Sequence, residues 1–462
     1  MSPTEAIRTE VAPPLTQPRI AEAPPLDSSR VHYYARYFGD PIARLFWQED
    51  RLWMGILPPH GCAFAELAKS HIMDKLVQEK LLVGLEHSPQ SHAGFDEAYP
   101  LASTPRITYW HEWSPKMLRT AALRLIALLQ ALAECRLTLR NPHPWNILYD
   151  GLNFVYMNPG SIVRSDAQTF TCSYEKVARF FIRPLLLIEN GLTHVARQLI
   201  ADPRDGVLEE DVEHVRKDWA TWDPKFEVEH IPSFLTRLAT EVSRFNCNPP
   251  GERWIDYFAT DCDFSSPGSS WSRKQRALEL LLEEGDIQSV LDLGANTGHY
   301  ARVAAQRGCE VIAADFDSAL VDATFEETHA AGLSLYPVTM DFSHPTPAHG
   351  LAGSWFPAAT RRFESDLVLC FALSHHMIFG KYRLDFEQVA RGIRGFSRRW
   401  ALVEYVERGK IRPAEWRPDA DGWYSVDRFA EALRRHFPVV MVLAPADDGR
   451  RLLVCGPERR LA

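Results

Sequence analysis

The sequence predicts an α/β fold whose C-terminal part is a doubly wound, mostly parallel sheet. Two observations carry that expectation. From residue 288 onward, short β-branched runs alternate with helical stretches. The first of those runs leads straight into a glycine-containing loop, Asp292-Leu293-Gly294-Ala295-Asn296-Thr297-Gly298. In order, the pattern reads strand 288–293, helix 298–307, strand 310–315, helix 318–331 and strand 333–340, then strand 366–371, helix 386–396 and strand 400–406. The ending differs. Helix 426–436, strand 439–443, a turn at 447–449 and strand 451–455 place an antiparallel strand beside the others and complete seven.

The 462 residues correspond to about two or three domains. Residues 1–30, with Pro13-Pro14 and Pro24-Pro25, read as a disordered tail. Residues 31–204 read as an α+β domain, 205–285 as a helical connecting region and 286–462 as the sheet domain. Within the α+β domain, 46–56 has strand character, and 63–86 and 115–134 look helical. In the second helix Leu118, Ala121, Ala122, Leu125, Leu128, Leu129 and Leu132 recur at helical spacing. Ser114 before Pro115 is suited to cap its start. Strands 147–149 and 154–157 flank Asp150-Gly151 as a hairpin. In the connecting region, Asn248-Pro249-Pro250-Gly251 and 265–270 read as loops, and 271–284 as a helix entering the sheet domain.

Hydrophobic residues make up 46% and charged residues 24%, the mix of a soluble globular protein. A formal net charge of -9 gives no strong nucleic-acid signal. None of the eight cysteines stands in a metal-ligand spacing, so they read as free thiols with no metal site. No apolar run is long enough to span a membrane, and residues 1–30 lack the apolar core of a signal peptide. A cytoplasmic enzyme with no membrane partner is the expectation.

Three strand ends carry the cofactor signal. Gly294 and Gly298, with Asn296 between them, let backbone approach a ligand, and the amides of the next helix face the same crevice. Asp315 ends the second strand, 23 residues after Asp292, where a carboxylate accepts both hydroxyls of a ribose. Asp341 after the third strand can accept from an adenine amino group, and Phe316 or Phe342 can flank the base. An NAD site would need G-x-G-x-x-G, and Asn296 stands where its middle glycine would be. The run D-x-G-x-x-x-G instead resembles methyltransferase motif I, which implies S-adenosyl-L-methionine.

After the fourth strand, Cys370-Phe371-Ala372-Leu373-Ser374-His375-His376-Met377 borders the same crevice. His375 or His376 could take a proton from an acceptor hydroxyl or amine. Glu404-Tyr405, ending the fifth strand, is a second polar lining. The missing Asn-Pro-Pro-Tyr or Asp-Pro-Pro-Tyr after strand four weighs against methylation of a DNA amino group.

The run from Val290 to Gly298 and Ala372-Leu373-Ser374-His375-His376 resembles the NoeA-like class I S-adenosylmethionine-dependent methyltransferases, relatives of a nodulation protein. Tyr109-Trp110-His111-Glu112-Trp113-Ser114 looks like that family's Y-x-x-E-W-S segment, and Leu139-Arg140-Asn141-Pro142-His143-Pro144-Trp145-Asn146-Ile147-Leu148 like its L-K-D-x-x-P-x-N-V segment. The resemblance covers about residues 45–457 and implies a seven-stranded, Rossmann-like class I methyltransferase fold. The second segment also resembles a protein-kinase catalytic loop, with Asn141 in the place of the catalytic aspartate and Asn146 in that of the metal-binding asparagine. Asn158 stands where D-F-G carries its aspartate. An amide neither takes the substrate proton nor suits Mg²⁺, so 31–204 reads as a degenerate kinase-like domain that binds substrate or a protein partner. The expected function is methyl transfer to an oxygen or nitrogen of a small molecule, saccharide or macromolecule. The alternative is a catalytically degenerate scaffold that docks a partner enzyme.

Overall fold

The structure is a computed structural model that describes residues 32–33, 40–48, 51–86, 90–92, 94–102, 106–202, 204–215, 227–248, 272–353, 356–411, 422–443 and 449–457. The expected tail 1–30 and the loop 265–270 lie outside the described residues, as do parts of the loop at 248–251 and of the turn at 447–449.

Strands β1 (His32–Tyr33), β2 (Ala43–Gln48), β3 (Arg51–Ile56), β4 (Gln90–His92) and β5 (Phe95–Pro100) form an antiparallel sheet in the order β1-β2-β3-β5-β4. The strand expected over 46–56 is thus the β2–β3 hairpin. The helix expected over 63–86 is two short ones, α1 (Gly61–Ala68) and α2 (His71–Gln78). Ser70 parts them with an extended backbone, and its hydroxyl donates to Leu67 O at 2.5 Å. Past α2 the chain leaves the helix, and Val83 N donates to Tyr156 O at 2.9 Å.

Helix α3 (Pro115–Glu134) buries all seven of the apolar positions expected of it. Its start is closed differently from the expectation. Ser114 makes no capping bond, and the amide of Lys116 donates to Asp322 Oδ1 at 2.9 Å, across to the other half of the chain. Around α3 lie β6 (Leu137–Leu139) paired with β9 (Ile162–Arg164), and the hairpin of β7 (Ile147–Tyr149) and β8 (Phe154–Tyr156). Helices α4 (Ala167–Val177), α5 (Arg183–Glu189), α6 (Thr193–Ile200) and α7 (Ile231–Arg244) follow, and α8 (Arg273–Glu284) leads into the second sheet.

That sheet has seven strands: β10 (Ser289–Leu293), β11 (Glu310–Asp315), β12 (Tyr336–Thr339), β13 (Ser365–Cys370), β14 (Ser397–Val406), β15 (Val439–Val442) and β16 (Arg450–Gly456). Their order is β12-β11-β10-β13-β14-β16-β15, with β16 antiparallel to both neighbours. Helices α9 (His299–Gln306), α10 (Ser318–Ala330), α11 (Ala359–Arg362), α12 (Ser374–Phe379), α13 (Phe386–Phe396) and α14 (Val426–Arg434) connect them. This is an α/β, Rossmann-like arrangement. Strand order reverses between β10 and β13, which opens a crevice at their carboxyl ends.

The two halves share one apolar core, which runs from α3 into the β10–β13 face. Trp145 stacks on Phe356 with ring centres 3.7 Å apart. Arg362 pairs with Glu112, both buried, and its guanidinium lies 3.8 Å from the Tyr109 ring centre. Removing one member of such a pair strands a buried charge and costs about 3–5 kcal/mol. No helix among the described residues is long and apolar enough to cross a membrane.

Candidate functional site

A cavity of about 480 Å³ sits at the carboxyl ends of β10, β11, β12 and β13. Seven of the residues singled out in the sequence line it: Asp292, Gly294, Asn296, Asp315, Phe316, Asp341 and His376. Gly298, Phe342 and His375 do not.

The loop after β10 is a chain of left-handed turns. Gly294, Asn296 and Gly298 have φ of 69°, 53° and 73°. Gly298 serves packing, because a Cβ there would stand 2.6 Å from Thr324 Cγ2 on α10. Asn296 tolerates its conformation by accepting from Thr297 N at 2.8 Å through its own side chain. Its amide donates to Asp315 Oδ2 at 2.9 Å, and Asp317 N donates to Asp315 Oδ1 at 3.0 Å. The glycine loop and the end of β11 are thereby locked together. Burial pushes the Asp315 carboxyl up to about 6, and those amides pull it back. Burial, and then the charge of Asp315, push Asp292 up to about 7. Asp292 is 2% exposed, and its Oδ2 has no hydrogen-bond partner.

Past β12, Asp341 accepts from Ser343 N at 2.8 Å, from Ser343 Oγ at 2.6 Å and from the Tyr382 hydroxyl. Tyr382 comes from the α12–α13 loop and joins the cavity rim. Phe316 stands at that rim 62% exposed, a ring with an open face. Of the two rings named as able to flank the base, Phe342 does not line the cavity. The chain turns between Asp341 and His344, and Phe342 is buried against Gly392 and Phe396 of α13.

The end of β13 is held by Glu404. Ala372 has φ 48°, unusual for a residue with a Cβ, and its amide donates to Glu404 Oε2 at 2.6 Å. Glu404 is fully buried and also pairs with Lys274 at 2.9 Å and Arg450 at 3.3 Å. Neither Glu404 nor Tyr405 lines the cavity, contrary to the sequence expectation; Tyr405 stacks on Tyr424. The two histidines separate. His376 faces the cavity, whereas His375 is enclosed, and burial drives its pKa down to about 3. Burial thus favours the neutral form of His375, whose ring packs 4.2 Å from that of His376. Sequence reasoning missed Lys274, Tyr300 and Tyr382 in the lining. Among the described residues no group of His, Cys, Asp and Glu is placed to hold a metal ion.

In the first half, Asn158 Nδ2 donates to Asp40 Oδ2 at 2.9 Å, and Arg140 pairs with Asp40 at 3.0 Å. Asn146 Nδ2 and the Tyr156 hydroxyl donate to Asn141 O, and Lys176 Nζ donates to Asn141 Oδ1 at 3.0 Å.

No family model matches the chain. Its sequence is NoeA-like. It is 23% identical to nodulation protein NoeA of Rhizobium meliloti (strain 1021) in an alignment of 443 positions that covers 87% of this chain and 91% of NoeA. Solved structures are more distant. WbdD, in a co-crystal with the kinase inhibitor LY294002, is 13% identical with a TM-score of 0.33 over 41% of this chain and 42% of WbdD. The chain therefore spans less than half of the WbdD structure it matches. Magnesium protoporphyrin IX methyltransferase of Synechocystis PCC 6803 is 12% identical with a TM-score of 0.27, over 40% of this chain and 79% of that one. A TehB-like methyltransferase of Corynebacterium glutamicum is 15% identical with a TM-score of 0.29, over 45% and 95%.

Proposed function

We propose that this chain is an S-adenosyl-L-methionine-dependent methyltransferase. The observation that carries the reading is one cavity that gathers the glycine loop, Asp315, Asp341 and Phe316 from three successive strand ends. The chemistry of the wall suits a nucleoside. Asp315 has lone pairs beyond those its two amides use and would accept ribose hydroxyls. Asp341 would accept from the adenine amino group, and Phe316 would cover the base. Gly294 leaves backbone open beside the ligand, since a Cβ there would come no closer than 3.5 Å to Leu373.

When bound, the cofactor supplies a methyl group activated on a sulfonium. The chain's part is to orient the acceptor in line with it and to hold a proton acceptor nearby. His376 is the residue for that second task. The acceptor atom is an oxygen or nitrogen, on a small molecule, a saccharide or a macromolecule. Residues 31–204 act as a kinase-like region without phosphotransfer that binds substrate or partner. The use of Asn141, Asn146 and Asn158 in internal bonds supports this.

Thermal denaturation tests the cofactor. S-adenosylhomocysteine should raise the melting temperature, while NAD and ATP leave it unchanged. Stabilisation by NAD instead, or by none of the three, would overturn the reading.

A further inference from the structure

We propose that α10 is a strut through which the first half of the chain shapes the glycine loop, with Thr324 as the positioning residue on the loop side. This rests on the methyltransferase reading and adds to it a link between the two halves.

On a helix, residues three and four apart share a face, and residues two apart do not. Helix α10 uses that spacing to serve two neighbours. Asp322, Phe325, Glu326 and His329 form one face, and all four meet the first half. Asp322 accepts from Lys116 N at 2.9 Å, and Glu326 pairs with Lys116 Nζ at 2.7 Å. The Phe325 ring centre lies 6.0 Å from that of Tyr149, and His329 Nδ1 stands 3.1 Å from Leu152 O. Leu320, Thr324 and Glu327 form the other face. Leu320 lines the cavity. Thr324 Oγ1 donates to Asn296 O at 3.2 Å. Glu327 pairs with Arg302, whose guanidinium donates to Thr297 O at 2.7 Å.

Two carbonyls of the glycine loop are thus held from outside the cavity, by a helix anchored on the first half. Thr324 is 1% exposed, and its Cγ2 is the atom that a Cβ at Gly298 would strike. The helix also continues from the end of β11. Asp317 N donates to Asp315, and the Asp317 side chain caps the helix by accepting from Ala319 N at 2.9 Å. A shift of α10 would therefore move Asn296, Asp315 and Leu320 together, because a close-packed core transmits strain.

Calorimetry with S-adenosylhomocysteine tests this, at a temperature where the melting curve of each variant shows it folded. Thr324→Val keeps the shape and removes the hydroxyl, and should weaken binding about fivefold. Thr324→Ser keeps the hydroxyl and should bind within about twofold of wild type. Asp322→Ala cuts the face toward the first half, outside the cavity, and should weaken binding about threefold. In the Thr324→Val background it should add almost nothing, because the loop is already released. A merely structural Asp322 would lower the melting temperature and leave the affinity alone. The double variant Glu326→Ala, His329→Ala loosens the same face at the surface, so it decides the matter if Asp322→Ala does not fold. It should also weaken binding about threefold. Unchanged affinity in Thr324→Val or in a folded variant of the face toward the first half would overturn the strut and leave the cofactor standing. So would an equal loss in Thr324→Ser, or losses that multiply in the combined variant. A wild-type protein that does not bind S-adenosylhomocysteine would overturn both.

Discussion

Two stretches of this chain carry polar side chains at strand ends, and they use them in opposite ways. After β6 and β8 the polar groups bond to their own neighbours: Asn158 to Asp40, Asn146 to Asn141, and Asn141 to Lys176. After β10, β11 and β12 they are aimed at a cavity, and Asp292 Oδ2 is left open. Buried polar groups are expensive unless paired, so an unpaired one beside a cavity suits a ligand that would pair it. The first stretch spends these groups on internal bonds, while the second leaves one oxygen without a partner beside the cavity.

The sharpest test of that contrast is Asn158→Asp, which puts a carboxylate where the resemblance to a kinase D-F-G segment places one. It places a second negative group against Asp40 in a fully buried position and removes the amide donor. Destabilisation of about 3 kcal/mol is expected, with no gain of phosphotransfer. Urea unfolding measures it, and the double variant with Asp40→Asn should recover part of the loss. A stable single variant would break the contrast. Asp315→Ala acts on the other side. It should lower S-adenosylmethionine affinity at least tenfold, about 1.4 kcal/mol, which calorimetry reads directly. Unchanged affinity would remove Asp315 from the ribose.

The smallest effect belongs to Asp322, which lies between the two kinds. One oxygen accepts from Lys116 N, and the other has no hydrogen-bond partner. Burial pushes its carboxyl up to about 7. The folded chain therefore holds this proton more tightly than the unfolded one, and the group makes stability fall as pH rises from about 4 to about 7. Asp322→Asn keeps an acceptor and removes the titration. Its stability relative to wild type should improve from acid toward neutral pH, measured by unfolding at both ends of that window. A gap that stays constant with pH would show that the carboxyl is not perturbed.

What the sequence made legible follows from how local each signal is. Alternation and glycine placement recur within a few residues, so β10, β11, α3 and α13 are found close to their observed bounds. Asp315 and Asp341 follow strands whose direction is set by the pattern itself. Phe342 was misplaced because it lies past the strand, where a turn and not a period decides which way a ring points. The break at Ser70 was missed because the flanking residues are ordinary helix formers. Lys274 and Tyr382 were invisible for another reason. Each reaches the cavity only through tertiary packing, Lys274 against Glu404 and Tyr382 against Asp341, far apart in the chain.

The stacking of Trp145 on Phe356 also bears on synthesis. The first half leaves the ribosome with Trp145 and Tyr109 lacking the rings and the arginine that cover them, because Phe356 and Arg362 are encoded roughly two hundred residues later. At roughly 5–20 residues per second that is about 10–40 s of exposed aromatic surface on every nascent chain. A truncated first half would keep that surface permanently, so its solubility, more than its fold, should limit attempts to produce it alone.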